Sequence, residues 1–364
     1  MDTFRLVPYT APDFSQPRLA AAPPVRFEPA PADGVAPDGY HAMSIYPEYF
    51  KLASGWRLAE ESRMDCVAVL ADDVLQVREF RNLRRGDLVA VGRSEQGEAG
   101  IFVHADGFRR EGAAAGDTFA FRQGRSRETA YSRDYDHLYE LLRHEREHGH
   151  ITWVLGPACA FDADARNAFT RLVRAGYVHS LLAGNALAVH DLEGAWLNTA
   201  LGQDIYTQQN QPNGHYNHLD TINRVRRHGS IPAFIAGEGL EGGIICSCVE
   251  KGVPFVLVGS VRDDGPLPEV HADVYEGQDA MRAFARKATT VLCLATTLHT
   301  IATGNMTPSF RVMPDGAVRE VYFYTVDISE FAVNKLADRG SLSARGIVTN
   351  IQDFVVTLSK GLGA

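Results

Sequence analysis

The chain has 364 residues, 45% of them hydrophobic, and 45 acidic residues against 36 Lys and Arg give a formal net charge of −9. That length exceeds most single hydrophobic cores and predicts two domains, while the acidic balance without clustered Lys and Arg excludes a nucleic-acid surface and suits a small cationic substrate. No segment approaches the ~20 apolar residues that span a bilayer, and the N-terminus lacks the basic start and apolar stretch of a signal peptide.

The five cysteines, Cys66, Cys159, Cys246, Cys248 and Cys293, lie mostly in apolar surroundings. Buried thiols in a cytoplasmic protein are expected. Leu19 to Gly39 reads LAAAPPVRFEPAPADGVAPDG, a composition that favours extended or polyproline backbone, so residues 1–39 are expected to be a flexible arm outside any core. Between Tyr40 and Phe121, short apolar runs such as CVAVLA and LVAVG alternate with turn-like stretches, which predicts a small β-rich domain over residues 40–128.

From Asp134 the pattern turns helical, with Tyr135, Leu138 and Leu142 at helical spacing and Gly149 as a C-cap. Residues 129–364 then read as an α/β half. Strands are expected at Ile151–Leu155, around Leu181–Gly184, and at Phe255–Gly259, Val291–Ala295 and Val321–Val326, with helices such as Ala163–Ala175 and Gly277–Lys287 between them. The fold class is therefore α/β, a doubly wound, mostly parallel Rossmann-like sheet with a smaller N-terminal β-rich domain.

Two segments run from apolar strand into polar loop, and ligands of open α/β sheets sit beyond such strand ends. GVPFVLVGSVRDDGPLP (Gly252–Pro268) ends in Asp263 and Asp264, and TTVLCLATTLHTIATGN (Thr289–Asn305) ends in threonines, His299, Gly304 and Asn305. Small hydroxyls, amides and glycines allow close approach to a phosphate or ribose, which points to a nucleotide-type site. Asp327, at another strand end, either accepts from a ribose or caps a helix.

Other motifs have plain readings beside sharp ones. HEREH (His144–His148) matches a zinc pattern, but a charged last helical turn before Gly149 accounts for it. GEGLEG (Gly237–Gly242) satisfies GxGxxG, but reads more simply as a loop between two helices. Cys246 and Cys248 are C-x-C, not a metal or redox spacing, and no metal is expected. His215 and His218 open a polar helix, where His218 faces either a site or water.

Taken together, AGNALAVHD (Ala183–Asp191), Gly214–Arg227, VPFVLVGSVRDDGPLP, QDAMR (Gln278–Arg282), LATTLHTIATGNM (Leu294–Met306), VDI (Val326–Ile328), DRGS (Asp338–Ser341) and GIVT (Gly346–Thr349) resemble the archaeal-type ornithine cyclodeaminases, the LOR/SDH conserved-region family. The resemblance implies a deoxyhypusine synthase-like cofactor domain that uses NAD to convert ornithine, or a similar diamino acid, to proline with release of ammonia and no net redox change. It implies cofactor contacts at Asn185, Ala186, Asp264, Thr296, Thr297, Leu298, His299, Asp327 and Ile328. It leaves Asp263, Asp191 and His218 as candidates to hold a substrate ammonium or move its protons. A homo-oligomer, dimer or tetramer, is also implied.

Three departures from the family stand out: PACAFDADAR after Gly156, Asn350 where an acid is expected, and a longer stretch over 307–324. They leave open an NAD-dependent dehydrogenase or lyase on another amine, and a non-catalytic nucleotide-binding protein.

Overall fold

A computed structural model of the protein describes residues 4–108, 132–261, 263, 265–330, 333 and 342–364. Asp264, the DRGS segment and the expected boundary near residue 128 lie outside the described residues. The first strands are β1 (Arg26–Pro29), β2 (Glu48–Leu52), β3 (Gly55–Leu58), β4 (Cys66–Ala71), β5 (Val74–Glu79), β6 (Leu88–Val91) and β7 (Ile101–Val103). They make two antiparallel sheets, in the orders β1-β6-β4-β5 and β3-β2-β7. The first four residues of β4 are buried because strands flank it on both sides, whereas β5, at the edge, alternates exposed and buried residues.

The Pro/Ala-rich segment corrects an expectation. Residues read as an arm supply β1, and Leu19, Val25 and Ala30 are buried. Prolines are tolerated there because β1 is an edge strand, with Pro29 at its end.

The second half contains β8 (Ile151–Leu155), β9 (Ser180–Gly184), β10 (Thr199–Ala200), β11 (Gln203–Asp204), β12 (Phe255–Val258), β13 (Val270–His271), β14 (Thr290–Leu294), β15 (Phe310–Val312), β16 (Val318–Glu320), β17 (Tyr322–Asp327) and β18 (Ser343–Val348). Seven of these form one parallel sheet in the order β13-β12-β9-β8-β14-β17-β18. The chain starts at the centre, winds outward through β9, β12 and β13, then returns to wind the other way from β14. The central strands ITWVL and TVLCL are buried along their whole length because helices cover both faces. Trp153, Leu155, Leu181 and Leu292 pack on one face with Phe169, Leu187 and Phe354; Val154, Leu182, Val291 and Cys293 pack on the other with Met281 and Ala285.

The stretch over 307–324 carries the antiparallel pair β15 and β16, and Arg319 of β16 reaches Glu145 at 2.6 Å. That contact corrects the solvated reading of HEREH at Glu145, which is fully buried and also accepts from the Thr289 hydroxyl, whereas Arg146, Glu147 and His148 are exposed in the last helical turn as expected. GEGLEG does join two helices, Ile231–Glu238 and Ile244–Lys251. Ion pairs link the N-terminal sheets to helix Val274–Ala285: Arg282 to Glu79, Arg81 to Asp279 at 2.7 Å and, just past the helix, Arg286 to Glu61 at 2.7 Å.

All five cysteines are buried and free. Burial pushes the Cys66 thiol up to about 11, those of Cys159 and Cys246 up to about 12, and those of Cys248 and Cys293 in the same direction. Among the described residues no helix is long and apolar enough to cross a membrane.

Candidate functional site

Because the seven strands are parallel and in register, their carboxyl ends share one rim. Leu155 pairs with Ala183 and Leu294, Val258 with Gly184, and Leu294 with Val326. The winding reverses between β8 and β14, and a ligand of such a sheet sits in the crevice at that reversal. Gly156 and Ala295 form its floor. The Gly156 N–H donates to the Leu294 carbonyl at 2.8 Å, a Cβ on Gly156 would collide with the Ala295 carbonyl oxygen, and Ala295 itself has φ +49°. A non-glycine residue in the left-handed region, held against a backbone neighbour, is the strained geometry that ligand sites concentrate.

Two helices begin on this rim. Asn185–Leu197 follows Gly184 and Thr297–Met306 follows Thr296, and neither N-cap residue makes a side-chain capping bond. Their first-turn N–H groups carry the positive end of the helix dipole, which suits a phosphate. Asn185 is buried; its Oδ1 accepts from Leu267 N at 3.1 Å and its Nδ2 donates to the Gly265 carbonyl at 3.5 Å, tying down the loop after β12. Ala186 follows it, half-buried.

On that loop the Asp263 carboxylate accepts from the Ser260 N–H at 2.7 Å and from the Ser260 hydroxyl at 3.3 Å. His299 stands nearby: burial lowers its pKa, and the Asp263 charge opposes that shift. Thr297 and Leu298 are exposed, Leu298 by 71%, and at the end of β17 Ile328 is exposed by 75%. Asp327 accepts from Ser329 N at 2.8 Å. The described candidates for cofactor contact thus gather on one rim, joined by Asp263.

Asp191 lies apart from them, and here the structure argues against the expectation of a proton carrier. Its carboxylate is fully buried: Oδ1 accepts from Arg166 Nε at 2.8 Å and Ile244 N at 2.9 Å, and Oδ2 from Ile245 N at 2.8 Å. It caps helix Ile244–Lys251 and neutralises Arg166. Gly243 has φ +112°, and a Cβ there would lie 2.9 Å from Asp191 Oδ2, so the caged carboxylate leaves room only for glycine. Two of the departures have local reasons as well. Asp162 of PACAFDADAR caps helix Ala163–Arg174, and Asn350 caps helix Ile351–Leu362 by accepting from Gln352 N and Asp353 N.

His218 sits in the first turn of helix His215–His228, half-buried, and its ring lies 5.0 Å from that of His190. With Glu193 these histidines form a cluster that sequence reading missed, in which ligand atoms lie within 4.8 Å of one another. The only sequence signal is H-x-x-E on the helix leaving β9, a spacing that puts both side chains on one face.

A family model described as arginine dihydrolase ArgZ-like, C-terminal, Rossmann fold, matches residues 137–358. The ornithine cyclodeaminase of Methanocaldococcus jannaschii is 37% identical over 347 residues, covering 93% of this chain and 78% of the relative. The chain belongs to the ornithine cyclodeaminase family.

Among solved structures, an LOR/SDH protein of Methanococcus maripaludis superposes on this cyclodeaminase-family chain with a TM-score of 0.83 at 32% identity, covering 94% of this chain and 98% of the other. AgrE, in its ternary complex with ornithine and NAD+, aligns with a TM-score of 0.57 at 31% identity over 94% of this chain and 46% of its own. The Rossmann assignment falls on the half of this family member that holds the rim.

Proposed function

We propose that this family member is an NAD-dependent cyclodeaminase that converts ornithine, or a close diamino acid, to proline or the matching cyclic imino acid with release of ammonia. The observation that carries the reading is the rim itself, where two side-chain-uncapped helix N-termini flank a glycine-floored crevice at the reversal of the sheet. AgrE, a relative of the same fold, binds both ornithine and NAD+.

The residues fit a dinucleotide. The N–H groups that open helices Asn185–Leu197 and Thr297–Met306 would take the pyrophosphate. Asp327, whose Oδ1 accepts from Ser329 N, would accept from ribose hydroxyls. Exposed Leu298 and Ile328 would pack against a flat ring. When bound, NAD supplies the hydride acceptor for the carbon bearing the α-amine and returns the hydride at the end of the cycle, so no net redox change results.

The chain's own groups would do the rest. Asp263 would hold a substrate ammonium beside the crevice. His299, held toward its neutral form by burial, would exchange a proton with an amine, since attack on the carbon requires one amine to be neutral. His218 would serve the same traffic from the flank.

Mass spectrometry of purified protein incubated with ornithine and NAD tests the proposal. Equimolar proline and ammonia with no accumulating reduced nicotinamide is the expected result. Net reduced nicotinamide would instead make the protein a dehydrogenase of an amine, and NAD binding without turnover of any diamino acid would make it a non-catalytic relative.

A further inference from the structure

We infer that His190 is a positioning and proton-relaying residue of this reaction, oriented by Glu193 and acting through His218. The inference rests on the cyclodeaminase reading and gives a role to a histidine of the AGNALAVHD block that the rim itself does not use.

His190 is 6% exposed and lies between two rings, with Phe161 at 5.1 Å and His218 at 5.0 Å. Phe161 ends the turn Pro157–Ala160 that leaves β8 beside the crevice, so the cluster stands on the flank of the site. Glu193, on the same helix as His190, is fully buried. Its Oε1 accepts from the Thr199 hydroxyl at 2.7 Å and Gly202 N at 2.9 Å; its Oε2 accepts from Leu201 N at 2.9 Å and faces His190 Nδ1 at 3.3 Å. Burial pushes the Glu193 pKa up, but these hydrogen bonds outweigh it and hold the carboxyl below its usual value.

The same set of atoms could be taken for a metal centre, because the ligand atoms converge within 4.8 Å. The framework donors weigh against it: of about four lone-pair sites on a carboxylate, Thr199, Leu201 and Gly202 occupy three, and the fourth faces His190 Nδ1.

A carboxylate on Nδ1 fixes the imidazole tautomer, with the proton on Nδ1 and an open lone pair on Nε2. Nε2 can then take a proton handed on from the α-ammonium of the substrate through His218, which leaves that amine neutral before its carbon loses hydride. The proton returns to the departing amine. Ornithine as a cation gives proline as a zwitterion and one ammonium ion, so the relay ends each cycle as it began.

His190→Asn tests this, because the amide can keep a donor toward Glu193 but cannot carry a proton. The expected result is a ~10²-fold fall in kcat, in the range of lost acid–base catalysis. The ornithine KM, the NAD affinity and the thermal midpoint should stay close to those of the wild type. A second readout needs no turnover: nitrogen NMR of the histidine rings should find His190 protonated on Nδ1, and Glu193→Gln should abolish that preference. Wild-type kcat in His190→Asn, or an Nε2-protonated His190, overturns the relay. So does a stoichiometric divalent ion bound by the wild type and absent from the variant. If the wild type turns over no diamino acid, the cyclodeaminase reading falls and the relay with it; if the wild type turns over and the variant equals it, the relay alone falls.

Discussion

Asp191 and Asp263 both follow strands of one sheet, one inside helix Asn185–Leu197 and the other on the loop after β12, and their surroundings separate them. Asp191 is caged by Arg166 and the first N–H groups of helix Ile244–Lys251, with every neighbour inside the protein. Asp263 is half-buried on the loop after β12, where among the described residues its carboxylate accepts from Ser260, three positions earlier in the same turn, and its charge acts on His299. A carboxylate whose acceptors are saturated by framework groups holds structure together. One that keeps an open side at a rim has capacity left for a ligand.

Substitutions put this contrast to the test. The largest effect is expected from Asp191→Ala, which strands a buried guanidinium and two helix N–H groups, and should lower unfolding free energy by about 3–5 kcal/mol. Replacing both members of the pair, Arg166→Met with Asp191→Leu, should recover much of that loss in the same urea titration. An Asp191→Ala protein with an unchanged urea midpoint but no turnover would return Asp191 to the chemistry.

At the crevice floor, Gly156→Val puts a side chain where a Cβ already meets the Ala295 carbonyl. NAD affinity measured by calorimetry should fall about 100-fold, equivalent to about 3 kcal/mol. Unaltered NAD binding would move the cofactor away from the reversal between β8 and β14.

A third test uses pH. Burial, with His179, Arg311 and Lys287 close by, lowers the His150 pKa from 6.5 to about 4. Above the unfolded value the ring is neutral in both states and costs nothing. As pH falls through that value the unfolded chain takes a proton that the folded one refuses, so stability is lost until the folded pKa is reached and then stays level. After allowance for partial solvent exposure the loss is on the order of 2 kcal/mol, and His150→Asn should flatten the urea midpoint between neutral pH and pH of about 4. A midpoint whose pH dependence is identical in the variant would show that other groups carry it.

The smallest effect is expected at Asp263. Asp263→Asn should leave stability within about 0.5 kcal/mol and raise the ornithine KM roughly tenfold, as loss of one ammonium contact would. A large stability loss with normal KM would erase the distinction from Asp191.

Much of this was legible in the chain. ITWVL and TVLCL announce central parallel strands because burial on both faces demands unbroken apolar runs, and the change to Asp or Thr marks where each meets solvent. Partnerships across the fold were not legible. Glu145 sits in a charged helical turn, yet it is buried where Arg319, 174 residues away, neutralises it and Thr289 donates to it. Asp191 meets its helix N-terminus 53 residues later. Val25 and Ala30 lie among prolines that locally suggest an exposed arm, and β6 supplies the pairing that draws this segment into the sheet. His190 shows locally only as part of AGNALAVHD and an H-x-x-E spacing, because its setting depends on Phe161 from one turn and His218 from another helix.

The five buried thiols make the chain its own gauge of opening. Cys66 belongs to the N-terminal sheets, Cys159 to the turn after β8, Cys246 and Cys248 to the helix capped by Asp191, and Cys293 to the centre of the parallel sheet. Each is shielded and held in its unreactive protonated form, so a thiol reagent can reach it only when that part of the molecule comes apart. The order in which the sulfurs are labelled would therefore rank the regions by local stability, without a probe being added to the sequence.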